Sequence, residues 1–117
     1  MDRQIFLADD DLSVRYALRL LLEQAGYFVV GEASDAEGLL AQVCVSPPDL
    51  VLLDWELPGL RASRLLPTLR NYCHETKVVA ISARPEARQI ALALGVDAFI
   101  SKGNPSDELL AVLDAIK

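Results

Sequence analysis

A chain of 117 residues is long enough for one domain with a substantial core, and a hydrophobic content of 52% is ample to fill it. Eleven basic against seventeen acidic side chains leave a net charge of −6. That excludes unaided binding to nucleic acid or to an anionic membrane, since both need a basic face. No apolar run approaches a membrane span, and Met1-Asp2-Arg3-Gln4 does not begin a signal peptide. The expectation is a soluble, cytoplasmic protein without a membrane partner.

Gln4-Ile5-Phe6-Leu7-Ala8 is a short apolar run and predicts a first strand. It ends in three consecutive acids, Asp9, Asp10 and Asp11. Val14, Leu18, Leu21, Leu22 and Ala25 then recur at helical spacing, so a helix is predicted from about Leu12 to Ala25, with Gly26 as its stop. Asp10 or Asp11 suits its N-cap. Phe28 to Ala33 predicts the second strand. A second helix follows, capped by Ser34 or Asp35, with Ala36, Leu39, Leu40 and Val43 on one face, and Pro47-Pro48 closes that unit.

Asp49-Leu50-Val51-Leu52-Leu53-Asp54 carries four unbroken apolar residues and stops at a carboxylate. So short a run between proline-marked turns reads as a buried parallel strand. Trp55 to Leu60 predicts a loop. The third helix shows Leu65, Leu66, Leu69 and Cys73 on its face, and Pro67 requires it to start late, near Ser63. Lys77 to Ser82 predicts the fourth strand. Its helix places Ala87, Ile90, Ala91 and Leu94 on the buried stripe, between Pro85 and Gly95. Ala98 to Ser101 predicts the fifth strand, ending at Lys102. Pro105 opens the last helix, with Leu109, Val112, Leu113 and Ile116 facing inward. Leu20, Leu92 and Leu110 fall off these stripes, as ordinary exposed leucines or as a partner surface.

Five β-then-α units without a linker predict an α/β fold: one doubly wound, five-stranded parallel sheet with right-handed crossovers and helices on both faces. Cys44 and Cys73 have no metal-ligand spacing and read as ordinary thiols. His74, the lone histidine, sits in a polar run after a helix and reads as a solvated residue.

In a parallel sheet all strand C-termini point one way, and open α/β sheets bind ligands there. Strand one delivers Asp9 and Asp10, strand three Asp54, strand four Ser82 and strand five Lys102. Taken singly, each has an ordinary reading as a cap, a turn residue or a solvated lysine. Together they are a different matter. Carboxylates about 5 Å apart repel by roughly 3 kcal/mol per pair at an effective dielectric near 20. One lysine offsets part of this and a hard divalent cation offsets more; an oxygen-only site with few protein ligands suits Mg2+. Cation, lysine and hydroxyl are also what a phosphoryl group needs beside a carboxylate, which makes Asp54 the candidate nucleophile for an acyl phosphate.

At this point the sequence resembles the response-regulator receiver domain of two-component signalling over essentially its whole length, 1–117. The resemblance rests on Asp9-Asp10, on Asp54 ahead of Trp55-Glu56-Leu57-Pro58-Gly59, on Ser82-Ala83, and on Phe99 ahead of Ser101-Lys102. It implies the flavodoxin-like strand order 2-1-3-4-5. It further implies Asp54 as phospho-acceptor, from a partner histidine kinase or a small acyl phosphate. Mg2+ would be ligated by Asp10 and Asp54, by Asp9 largely through water, and by the backbone carbonyl of Glu56. Lys102 would pair with the phosphoryl oxygens. Ser82 and Phe99 would be the switch pair, Ser82 moving to the phosphoryl group and Phe99 turning inward. The output face would comprise the fourth helix, the fifth strand and the fifth helix.

Three departures stand out. Gly103-Asn104 follows Lys102 where many receivers have proline, which resembles the branch with LuxR-type helix-turn-helix output and removes the expectation of a cis peptide there. Arg61-Ala62 stands where Asp-Gly is common. Phe99 lacks the hydroxyl of a tyrosine switch. Glu56 and Arg84, two residues past Asp54 and Ser82, are expected to tune dephosphorylation. A DNA-binding output domain would lie outside this chain, so DNA would be reached only through it; a homodimer and a stand-alone chain stay open. Two other readings compete. A haloacid dehalogenase-type phosphohydrolase also uses an aspartyl nucleophile, but it wants a second Asp where Glu56 stands, its nucleophile on the first strand and a longer chain. A receiver-like binding module that is never phosphorylated would not need the acids and Lys102.

Overall fold

The computed structural model describes residues 3–102 and 106–116. Its elements alternate as β1 (Gln4–Ala8), α1 (Leu12–Gln24), β2 (Phe28–Ala33), α2 (Ala36–Val45), β3 (Leu50–Asp54), α3 (Ala62–Tyr72), β4 (Lys77–Ser82), α4 (Ala87–Ala93), β5 (Ala98–Ser101) and α5 (Ser106–Ala115). The strands form one parallel sheet in the order β2-β1-β3-β4-β5, as expected. The predicted opening of the last helix at Pro105, and the Gly103-Asn104 departure, lie outside the described residues.

Side chains alternate across a strand, and here that alternation divides the core in two. Phe6, Ala8, Val51, Leu53, Val78, Ala80 and Phe99 face one side, against α2, α3 and α4. Ile5, Leu7, Leu50, Leu52, Val79, Ile81 and Ile100 face the other, against Leu22 of α1 and Leu109 and Leu113 of α5. Every residue of β3 is buried, which explains why its sequence shows no polar alternation. Leu39 is fully buried on α2, so Leu39→Ala is expected to cost about 2–5 kcal/mol in urea unfolding with little change in slope.

Local signals account for the helix ends. The Asp11 carboxylate accepts from the N–H groups of Ser13 (2.8 Å) and Val14 (3.3 Å), and that of Asp35 from Gly38 (2.7 Å); each satisfies donors left over in a first turn. Gly26 ends α1 with φ +95. Helix α3 starts at Ala62, one residue before the predicted Ser63, and Pro67 falls just past its first turn.

Helix α4 corrects the sequence reading. Ala87 and Ala91 are buried, but Ile90 is 59% and Leu94 is 42% exposed. Seven residues make two turns, and a helix seated on the sheet through two alanines presents only a narrow line to it. Leu20 and Leu92 are exposed as expected, and Leu110 is half-buried.

At the end of the sheet where the strands begin, Arg70 clamps three segments. Its guanidinium donates to the carbonyls of Thr76 (2.8 Å) and Gly95 (2.7 Å) and pairs with Asp97 (3.1 Å). Asp97 also accepts the N–H of Val78 at 2.7 Å. This ties α3, β4 and the turn before β5 together. No helix among the described residues is long and apolar enough to cross a membrane.

Candidate functional site

Strand register builds the site. Ala8 pairs with Leu53, Asp54 with Ile81 and Ser82 with Ser101. Asp9, Asp54, Ser82 and Lys102 therefore emerge side by side as the strands end. Backbone bonds carry the alignment past the strands: Asp9 N–H donates to the Ala33 carbonyl (3.0 Å), Trp55 N–H to that of Ile81 (2.8 Å), and Lys102 N–H to that of Ser82 (2.8 Å).

The structure brings together the acids that the sequence placed at strand ends. Carboxylate oxygens of Asp9, Asp10 and Asp54 all lie within 4.8 Å of one another. Asp9 and Asp54 are buried, each 3% exposed, while Asp10 is open to solvent. The ammonium of Lys102 lies 2.9 Å from Asp9 Oδ2 and 3.4 Å from Asp54 Oδ1, bridging the buried pair. Asp9 is held from behind, its Oδ1 accepting Asp11 N–H (2.9 Å) and its carbonyl accepting Arg15 Nη1 (2.5 Å). Arg15 is itself fixed by Glu32 of β2 at 2.9 Å.

Asp54 and Lys102 both depart from their ordinary pKa values. Burial pushes the Asp54 carboxyl up to about 6, with the charge of Asp9 adding to the rise; the Glu56 N–H and Lys102 oppose it without cancelling it. For Lys102 burial is the largest single effect and acts downward, but hydrogen bonding to Asp9 and the charges of both acids outweigh it and raise its pKa. Three acids facing one lysine leave a net negative pocket of oxygen donors. Opposite ligands of Mg2+ stand about 4.2 Å apart, twice the Mg–O distance. Oxygens within 4.8 Å of each other therefore fit such an ion after a small closing movement or through a retained water.

The β3–α3 loop begins as a tight turn on Asp54. Glu56 N–H donates to Asp54 Oδ1 (3.1 Å) and Leu57 N–H to the Asp54 carbonyl (3.0 Å). Further on, Ala36 N–H donates to the Pro58 carbonyl at 2.9 Å. Gly59 has φ +107, and a Cβ there would stand 3.3 Å from the backbone nitrogen of Ala36. Both the backbone angle and the close approach to α2 favour glycine here.

The switch candidates lie on adjacent strands. Ser82 is fully buried, and Phe99 is turned inward at 4% exposure. Arg88 of α4 stands over the Phe99 ring, 5.9 Å from its centroid. Ser82 Oγ donates to the Glu56 carboxylate, 2.9 Å from each oxygen, and accepts Arg84 N–H at 2.9 Å. The sequence pointed to the Glu56 backbone carbonyl but missed this side-chain contact, which joins residues 26 positions apart. It also missed the Arg15 brace and Arg88. Arg15 and Arg88 read in sequence as surface charges, and no local signal marks their contacts.

Comparison with known proteins fits this arrangement. The family description "Response regulator receiver domain" matches residues 5–114. The phosphate regulon transcriptional regulatory protein PhoB of Escherichia coli is 33% identical across 99% of this chain and 52% of its own length. A receiver domain of the response regulator NarL from Mycobacterium tuberculosis is 31% identical and superposes with a TM-score of 0.85 over 97% of this chain and 94% of that one. A LuxR-family response regulator from Aurantimonas is 26% identical with a TM-score of 0.89, over 98% and 84%. The chain spans about half the length of the curated relatives it matches.

Proposed function

The chain belongs to the response regulator receiver domains of two-component systems, and we propose that it is a phosphorylation-activated switch whose acceptor is Asp54. In the reaction, Asp54 Oδ bonds to phosphorus as the bond to the donor breaks. The bonding pair leaves with the donor, a histidine imidazole of a kinase or the carboxylate of a small acyl phosphate. The product is an aspartyl phosphate. The observation that carries this reading is the Lys102 ammonium set 2.9 Å and 3.4 Å from the buried Asp9 and Asp54, a cation beside the reacting oxygen that can pair with incoming phosphoryl oxygens.

Asp10, Asp54 and the Glu56 carbonyl would hold Mg2+, with Asp9 acting largely through water. When bound, the ion supplies charge neutralisation between the acids and the phosphoryl oxygens. Asp9 keeps Lys102 in place. Ser82 donates its hydroxyl proton to a phosphoryl oxygen, and the adjustment of β4 that this requires is felt by Phe99 one strand away. Arg88 stands over that ring, so the change reaches α4. The output face is α4, β5 and α5, and the readout is a DNA-binding domain outside this chain, by analogy with relatives named as transcriptional regulators. Signalling, with a histidine kinase as donor in the cytoplasm, is the role; turnover of a substrate is not.

Trp55 is the lone tryptophan and follows Asp54 directly, so it reports on the site. Mg2+ should change its fluorescence, beryllofluoride should change it further, and Asp54→Asn should abolish the second change. A chain silent to both additions would overturn the reading.

A further inference from the structure

One contact beside the acids takes no part in the reaction as written. Ser82 Oγ carries a single proton, and that proton is given to the Glu56 carboxylate, with both oxygens at 2.9 Å. Its acceptor capacity is used by Arg84 N–H at 2.9 Å. A hydroxyl has one donor, so Ser82 can serve Glu56 or a phosphoryl oxygen on Asp54, not both. The Glu56 main chain is anchored at the acceptor, its N–H bonded to Asp54 Oδ1 at 3.1 Å. That anchor keeps the competing carboxylate within reach of the switch hydroxyl, to which it is bonded through both oxygens.

We propose that Glu56 is a latch: a positioning residue that holds Ser82 away from Asp54 and sets how tightly the site takes a phosphoryl group. This rests on Asp54 being the acceptor. The latch makes the competent arrangement of Ser82 a minor one, and the apparent affinity for a phosphoryl group falls by the fraction of molecules that are competent. It acts by competing for a proton donor, which distinguishes it from simple repulsion between Glu56 and an anion. Repulsion needs only the charge. The latch needs an acceptor on residue 56 and a hydroxyl on residue 82.

The test is the affinity for beryllofluoride at saturating Mg2+, read from Trp55 fluorescence. Glu56→Ala is expected to tighten it about fivefold. Glu56→Gln keeps an amide oxygen that still accepts from Ser82, so it should gain only about twofold. In a Ser82→Ala background, Glu56→Ala should gain nothing. The latch is overturned by Glu56→Ala binding no tighter than the parent, by Glu56→Gln matching Glu56→Ala, or by a gain that survives Ser82→Ala. Should Ser82→Ala fail to fold, the comparison of the two Glu56 variants decides alone, since Glu56 is exposed and belongs to neither apolar core. A parent chain that ignores beryllofluoride overturns the acceptor assignment itself, and the latch with it; a parent that responds while Glu56→Ala does not differ overturns the latch only.

Discussion

Asp54→Asn will take up no phosphoryl group from acetyl phosphate and Mg2+, while the parent chain gains one, as read by intact-mass spectrometry. The amide keeps the shape of the side chain and removes the oxygen charge that attacks phosphorus. Asp9 and Asp10 do not replace it. Asp9 is committed to Lys102 and to Asp11 N–H, both at 2.9 Å, and Asp10 faces solvent. Lys102→Ala should retain the acceptor yet slow uptake by about 10²-fold, the usual cost of removing one donor aimed at developing phosphoryl charge. Uptake by Asp54→Asn at the parent's rate would place the acceptor elsewhere.

The second large effect is on stability, and it runs opposite to the common behaviour of paired carboxylates. In the metal-free protein Asp54 titrates at about 6, against roughly 3.9 for an unfolded aspartate. Between these values the folded state binds more protons than the unfolded state, so stability falls as pH rises from about 4 to about 6 and levels off above. The ionised carboxylate then costs the fold on the order of 2–3 kcal/mol at neutral pH. The raised pKa of Lys102 does not intrude, because its stabilisation is fully present below the unfolded lysine value and is lost only in alkali. Asp54→Asn should therefore exceed the parent in stability by about 2–3 kcal/mol at pH 7.5, and the gap should narrow to about half of that at pH 5. Urea unfolding at both pH values measures it. Mg2+ at pH 7.5 should narrow the gap by stabilising the parent alone, since ligand binding favours the folded state. A gap that does not change with pH would show that Asp54 is not strained by its charge.

The fold was legible because its signals are local. Apolar runs stop at Asp9, Asp54, Ser82 and Lys102, and a chain of β-then-α units has few ways to close a sheet. Asp11 and Asp35 cap where short polar side chains precede a helical period. The α4 stripe misled because a helix of seven residues shows too few turns to separate a face packed on the sheet from one beside it. At the site, the reactive groups were legible because strand register gathers whatever stands at strand ends. What surrounds them was not. Glu56 meets Ser82, Arg15 meets Asp9 and Glu32, and Arg88 meets Phe99 only after the crossovers have placed them. Each is a long, charged side chain that any solvated surface would also carry. The same limit hid the one contact on which the latch depends.

The Arg70 clamp has a consequence for how far this sequence can drift. Two of its three acceptors are main-chain carbonyls, of Thr76 and Gly95, and every amino acid supplies a carbonyl. Gly95 answers to its φ of +104 and Val96 to its burial, but neither owes its identity to the clamp. The pairing therefore constrains only Arg70 and Asp97, and substitutions elsewhere in those turns leave it intact. Divergence at this end of the sheet is cheap, because the joint is made to the path of the chain. At the acidic end the ion pairs of Lys102 with Asp9 and Asp54 join side chain to side chain, and there a single replacement changes the chemistry.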